Sequence, residues 1–370
     1  SGSVSMSCPS LYFSEGPAIT QTKTLENNKT HADMAKNWAV VTKPADYNDT
    51  TNPGKAFIYK NTGGTYSEGG TWSEAQTLEC TSTPLNTSTH NQFGLGSVAI
   101  TDNWLIIPTG ATSGGLAYVY KNIGGVWSAA TPETLTFPQS IYALAMTDTW
   151  AFFGNTFGGG KVYVAKNNSG TWSYTGQILL GLSQASSSTI KFGKYVAITD
   201  NWAAVGNEGY HVRLFKNNNG TWELYSILEP TWTGLTSSNW AGTFVSSLAM
   251  TDNWLFIGAS GSNKVFVLKN TAGTWGTTPH AELESPVTTT GFGSKVRITD
   301  QLAIVAHNTK QAKVFKNTNG TWSYVNYNSF NAVAGKIYGG IALNDDWAII
   351  ASEEADKVWF FNKILNPIKI

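Results

Sequence analysis

The chain has 370 residues, of which 13 % are charged and 13 % aromatic, 15 of them Trp; ordinary globular chains carry roughly 25 % charged residues. Lys and Arg number 24, Asp and Glu 24, so the net charge is zero, which speaks against nucleic acid or an acidic membrane surface as partner. Apolar runs such as Ala348-Ile349-Ile350 stop far short of the ~20 residues that cross a bilayer, so no membrane span is expected.

In chain order, residues 1–18 read as an N-terminal extension and 19–370 as one domain. Ile19 to Glu26 has the composition of a polar outer strand, echoed by Ala75-Gln76-Thr77-Leu78-Glu79. A repeat then organises the chain. Thr101-Asp102-Asn103-Trp104 recurs as Thr147-Asp148-Thr149-Trp150, Thr199-Asp200-Asn201-Trp202 and Thr251-Asp252-Asn253-Trp254. Weaker copies are Lys36-Asn37-Trp38, Thr299-Asp300-Gln301-Leu302 and Asn344-Asp345-Asp346-Trp347. A second signal follows in each unit: Lys121-Asn122 leads to Trp127, Lys166-Asn167 to Trp172, Lys216-Asn217 to Trp222, Lys269-Asn270 to Trp275 and Lys316-Asn317 to Trp322. The first unit has Lys60-Asn61 and then reaches Trp72. Positions 38, 104, 150, 202, 254, 302 and 347 thus mark seven units.

Each unit reads as four strands. Val98-Ala99-Ile100 comes first, and the Thr-Asp-Asn turn leads into Trp104-Leu105-Ile106-Ile107. A variable loop precedes Ala117-Tyr118-Val119-Tyr120, and a Gly-containing turn precedes Trp127 and a polar strand. Asp-Asn and Asn-x-Gly-Gly tolerate the positive φ of tight hairpins. Two doubly apolar strands followed by increasingly polar ones suit sheets stacked on one another and open at the outer edge. The expected fold is all-β, a seven-bladed β-propeller of four-stranded antiparallel blades. The seventh unit ends after three strands, so the N-terminal strand is expected to complete the last blade and remove a free sheet edge. Cys8 and Cys80 would then lie on adjacent blades, and either a disulfide bracing the closure or two unpaired buried thiols fits.

Phe93-Gly94, Phe192-Gly193 and Phe292-Gly293 precede the first strands of units two, four and six. With the "TDNW" turn and the "YVYKN…GTWS" hairpin, this pattern resembles the FG-GAP repeat family of integrin-α-head propellers, a related fungal lectin and many bacterial and viral surface proteins. The resemblance spans about residues 19 to 363 and implies an extracellular or surface-exposed recognition role. Many members carry an Asp-x-Asp-x-Asp-Gly calcium loop. The turns here hold too few carboxylates to supply the 6–8 oxygens of a Ca²⁺ site, so no metal is expected.

Chemistry is sparse. His31, His90, His211, His280 and His307 fall in different units, with neither a metal-helix spacing nor a Gly-x-Ser-x-Gly elbow. Glu353, Glu354 and Asp356 read as an exposed acidic loop. No enzyme and no cofactor is expected. The repeated Trp residues read as inter-blade packing, and each turn Asp as bonding its own backbone. Six Asn-x-Ser/Thr sequons, at Asn28, Asn48, Asn86, Asn167, Asn219 and Asn319, fit a secreted glycoprotein, although the last three are read as equivalent hairpin turns that need no glycan.

Function is expected where the repeat is broken, in loops gathered on one face. Tyr47, His90, Phe157, Tyr210, His211, Trp232 and Trp240 lie in such loops, where rings can stack on a sugar face while neighbouring amides and hydroxyls bind its OH groups. The expected function is a non-enzymatic binding or adhesion module for a glycan or surface protein. The alternative is a structural subunit of a filament, sheath or coat, whose partners are copies of itself.

Overall fold

The computed structural model describes residues 11–15, 19–20, 30–44, 54–63, 72–79, 93–109, 114–127, 132–181, 191–207, 211–229, 231, 244–287, 290–307, 311–329, 340–352 and 357–365. They form seven antiparallel sheets, and the innermost strand of each lies against those of its two neighbours, so the ring closes as a seven-bladed propeller. The innermost strands are Ala32–Met34, Ala99–Ile100, Ala143–Met146, Tyr195–Ile198, Ser247–Met250, Lys295–Ile298 and Ile341–Leu343. In blades 1, 3, 4 and 6 the outer strand slips register at one point; blades 2 and 5 split it there into Val126–Trp127 with Glu133–Phe137, and Thr274–Trp275 with Ala281–Glu284.

The N-terminus does complete blade 7. Leu11–Glu15 pairs with residues 361–365 and Ile19–Thr20 with residues 357–358, all on the third strand of that blade. The closing pairing therefore begins at Leu11, ahead of the Ile19 expected from sequence and inside the stretch expected as an extension. Residues 21–26 of the expected strand lie outside the described residues.

The repeated side chains all serve the ring. Second strands such as Trp104–Thr109 and Trp150–Asn155 are buried at every position, as strands sandwiched between sheets must be. Each second-strand Trp meets the outer-hairpin Trp of the next blade edge to face: Trp38–Trp127, Trp104–Trp172, Trp150–Trp222, Trp202–Trp275, Trp254–Trp322 and Trp347–Trp72, with centroids 5.4–6.0 Å apart. The boundary between blades 6 and 7 has Leu302 instead, set in an apolar cluster with Ile341, Leu343, Ile350 and Phe361. The repeated Lys lies over the same Trp in five blades, as Lys166 does over Trp150 at 5.1 Å. The Asn beside that Lys knits two turns together. Asn167 Nδ2 donates to Asp148 O at 2.9 Å, and Asn167 Oδ1 accepts from the Gly170 N–H at 2.8 Å.

The turn aspartates differ from expectation: they bond across the blade boundary, not within their own turn. Asp148 accepts from Thr101 Oγ1 at 2.5 Å and Asn103 Nδ2 at 2.9 Å, both in the preceding blade. Asp102, Asp200, Asp252 and Asp300 do the same with blades 1, 3, 4 and 5. The turn's own backbone is satisfied by Thr, since Thr101 Oγ1 accepts from the Asn103 and Trp104 N–H groups. A belt of charge-assisted bonds thus links six consecutive blades. Asp148→Ala is expected to cost about 1 kcal/mol, discounted for exposure, read as a lower urea midpoint; an unchanged midpoint would mean that the belt adds nothing to stability.

Two of the three sequon asparagines expected at equivalent hairpin turns match each other, and Asn167 does not match them. Asn219 and Asn319 hold the left-handed turn positions, at φ 51° and 52°, followed by Gly220 and Gly320 at positive φ, the backbone of a two-residue type I′ hairpin. Asn167 corresponds instead to Asn217 and Asn317, which accept the Gly220 and Gly320 N–H groups. Cys8, Cys80, Asn28, Asn48, Asn86, Glu353, Glu354 and Asp356 lie outside the described residues.

Candidate functional site

Because the repeat residues all have structural tasks, the positions that break the repeat carry the information. Five residues before the second-strand anchor, on the innermost strand, the blades have Asp33, Ala99, Ala145, Ala197, Ala249, Arg297 and Ala342. Two residues earlier they have His31, Ser97, Ala143, Tyr195, Ser247, Lys295 and Gly340. Small side chains line most of the ring, while blades 1, 4 and 6 place charge and bulk there. Read locally, Val296-Arg297-Ile298 is an ordinary strand; only alignment of the seven units marks Arg297 as the exception, a signal that was present in the sequence but unused.

These residues converge on the axis. A cavity of about 220 Å³ is walled by all seven innermost strands, with Asp33 and Arg297 as its charged members. It adjoins a second of about 280 Å³ whose lining includes His31, Lys194, Lys295 and Arg297, together with Tyr142, Tyr195 and Ser246. This mouth opens on the face of the strand-two-to-three loops. The Ser246 and Tyr142 N–H groups bond the second-strand residues Gly258 and Gly154, and Ser246 Oγ accepts from the Ser260 N–H just past the second strand of blade 5.

Burial sets the electrostatics. Asp33 Oδ2 accepts the Ile100 N–H of the next blade at 2.9 Å. Burial pushes its carboxyl up to about 6, against the pull of Arg297 and of backbone N–H groups. Burial, then Arg297 and Lys194, brings Lys295 down to about 8. Burial, then Lys295 and Arg297, holds His31 down at about 3 and so neutral. Burial also lowers Arg297, while Asp33 opposes that shift; Arg297 Nη1 donates to Val296 O at 3.0 Å. Lys194 Nζ lies 5.5 Å from the centre of the Tyr195 ring.

Stability should follow these shifts. Between about pH 8 and the ordinary 10.5 of a lysine, the unfolded chain holds a proton that folded Lys295 sheds, so its contribution to stability rises with pH. The native protein should gain on the order of 1–2 kcal/mol relative to Lys295→Met across that window, discounted because the side chain is only partly shielded from solvent. Urea unfolding of both proteins at pH 8 and pH 10 measures it; a parallel pH dependence would contradict the assignment. At lower pH, Asp33 adds stability as pH falls through 6 and His31 removes it below 6.5, so the two oppose each other.

Two of the loop residues expected to bind ligand are described. Phe157 is 52 % exposed, and its ring lies 5.7 Å from that of Tyr142, itself 40 % exposed and part of the mouth. Asn155, buried beneath, accepts the Phe157 N–H at 2.9 Å and fixes the loop. His211 is half-buried at the start of the third strand of blade 4, where burial and Arg213 push it down to about 4. Tyr47, His90, Tyr210, Trp232 and Trp240 lie outside the described residues. Among the described residues, no three His, Cys, Asp or Glu side chains cluster as a metal site would require, and no helix is long and apolar enough to cross a membrane.

Fold and site define a seven-bladed β-propeller with a polar, cation-rich axial mouth. No protein-family model and no curated protein sequence matches the chain. Among solved structures it is similar to the WD40 domain of Toxoplasma gondii coronin, with 9 % identity over 98 % of this chain and 88 % of that one, and a TM-score of 0.63. It is also similar to a Bacteroides uniformis protein provisionally assigned as a 6-phosphogluconolactonase, with 10 % identity, 91 % and 92 % coverage and a TM-score of 0.59. The computationally designed Ika8 protein matches with 14 % identity over 93 % of this chain and all of its own, at a TM-score of 0.54. At these identities the likeness shows the fold alone, and the fold hosts both binding domains and enzymes.

Proposed function

We propose that the chain is a non-enzymatic binding module of a secreted, cell or virion surface, an FG-GAP-like propeller that recognises a glycan or a protein through the mouth-bearing face. One observation carries this reading. The repeat residues are spent on holding blades together, whereas the exceptions to the repeat gather at one polar cavity with exposed rings on its rim. The low share of charged residues and the sequons at Asn28, Asn48 and Asn86, outside the repeated hairpin motif, support an extracellular setting. The alternative, assembly into a filament or coat, draws on Ile123 and Val126, which stand 63 % and 62 % exposed on the outer hairpin of blade 2.

The test is an array of glycans and surface proteins probed with the native chain and with a Tyr142→Ala/Phe157→Ala variant. Saturable binding to a defined ligand is expected. Loss of two rim rings should weaken it at least tenfold, about 1.4 kcal/mol, with thermal unfolding unchanged because both rings are exposed. No hit across the array, or equal binding by the variant, contradicts the reading.

A further inference from the structure

The cations at the mouth come from places far apart in the chain. Lys194 precedes the innermost strand of blade 4, whereas Lys295 and Arg297 lie on that of blade 6, so only ring closure brings the three to one cavity. Asp33 is the one acidic residue among the described residues that line the two axial cavities, and it lies in the first cavity and not in the mouth. Like charges gathered on protein walls raise a positive potential that such walls focus instead of screening. The innermost strands could have carried Ala or Ser here, as other blades do; the ring tolerates the repulsion instead.

We propose that the axial mouth is an anion-binding site that takes one carboxylate or sulfate group of a ligand between Lys194, Lys295 and Arg297. Arg297 suits the task because its fork offers five donors, of which one is given to Val296 O. Tyr142 lines the same cavity, and its hydroxyl can add a hydrogen bond to a tetrahedral or planar anion, whereas the Ser246 hydroxyl is spent on the Gly293 carbonyl. A volume of about 280 Å³ lies near the roughly 300 Å³ at which small-molecule pockets begin, enough for an acidic group with part of the unit that bears it. Tyr142 joins the cavity to the exposed ring of Phe157, so an acidic sugar can rest on the rim while its charged group enters the mouth. The acidic sugar deepens the binding-module reading and rests on it; the anion site itself does not.

The test is isothermal titration of the native chain at low ionic strength with sulfate, acetate, glucuronic acid and glucose, repeated with Arg297→Gln and Lys295→Met. Sulfate and glucuronic acid are expected to bind and glucose not, with affinity falling as salt rises. Each variant should bind at least tenfold more weakly, and thermal unfolding of both variants verifies that the ring is intact. Tighter binding of glucuronic acid than of acetate assigns the anion to a sugar, whereas equal binding assigns it to a free carboxylate; the site stands in both cases. The inference is overturned if no anion binds, or if both variants bind as the native chain does. Neutral glycans on the array with no anion binding sink this inference and leave the binding module; anion binding with an empty array does the reverse.

Discussion

Trp150→Ala should destabilise the protein by about 4 kcal/mol, within the roughly 3–5 kcal/mol range of large aromatic truncations in cores. Trp150 is 3 % exposed and couples two blades: its ring meets Trp222 of blade 4 at 5.5 Å and 86°, Phe152 lies 4.8 Å from the same Trp222, and Lys166 lies over the Trp150 ring at 5.1 Å. Alanine leaves a void between rigid sheets that neither can collapse into, since each is held by its own ladder and by its other neighbour. The loss adds the edge-to-face preference, about 0.5–1.5 kcal/mol, to the transfer and cavity costs. Phe157→Ala, on the exposed rim, should stay within about 0.5 kcal/mol of the native protein. Urea unfolding of the two variants makes the comparison, and a Trp150→Ala cost below about 1 kcal/mol would contradict the view that paired Trp residues hold the blades together.

Gly154→Ala is expected to cost about 3 kcal/mol, at the upper end of overpacking effects. Gly154 is the penultimate residue of the fully buried second strand of blade 3, and a methyl group there would sit 1.9 Å from the Gly193 carbonyl oxygen and 3.1 Å from Ala143 Cβ. The obstacle is backbone, so no rotamer relieves it. Gly193 cannot yield easily either: it holds φ +84°, and a Cβ on it would lie 2.7 Å from Lys161 O. This contact gives the Phe-Gly pair its purpose. Buried Phe192 plugs the gap between blades 3 and 4, and the glycine after it lets the connector run against the neighbouring blade. Blade 5 repeats the arrangement, since a methyl group on Gly258 would sit 2.1 Å from Gly293 O, so Gly258→Ala should behave alike. A native-like melting curve for Gly154→Ala would show that the two backbones can part at little cost.

The sequence reveals the ring because its couplings recur. A Trp on a doubly apolar strand in six of the seven units, with a second one hairpin away in most, suits stacked sheets, and the pairs Trp38–Trp127 through Trp347–Trp72 realise it. The direction of the Asp bonds is not legible in the same way, because a short carboxylate beside its own turn and one reaching the next blade look identical in sequence. Asp148 reaches Thr101 and Asn103 only because the blades stand side by side. The closing strand is legible in part: Ile19–Thr20 joins the last blade as its composition suggests, but Leu11–Glu15 joins it too, and that longer pairing between chain ends has no local signal. The axial mouth lies between these cases. Arg297 and Lys295 stand out once seven units are aligned, but their meeting with Lys194 and Asp33 belongs to the closed ring alone.

The central claim is that one ring is the working unit and that its mouth-bearing face is a recognition surface, not a contact between copies. The mass of the native chain by light scattering, followed from low to high concentration, tests this most directly. The account predicts 39.9 kDa throughout. Regular oligomers or filaments that grow with concentration would contradict it, and would recast the exposed hairpin of blade 2 and the loop rings as subunit contacts.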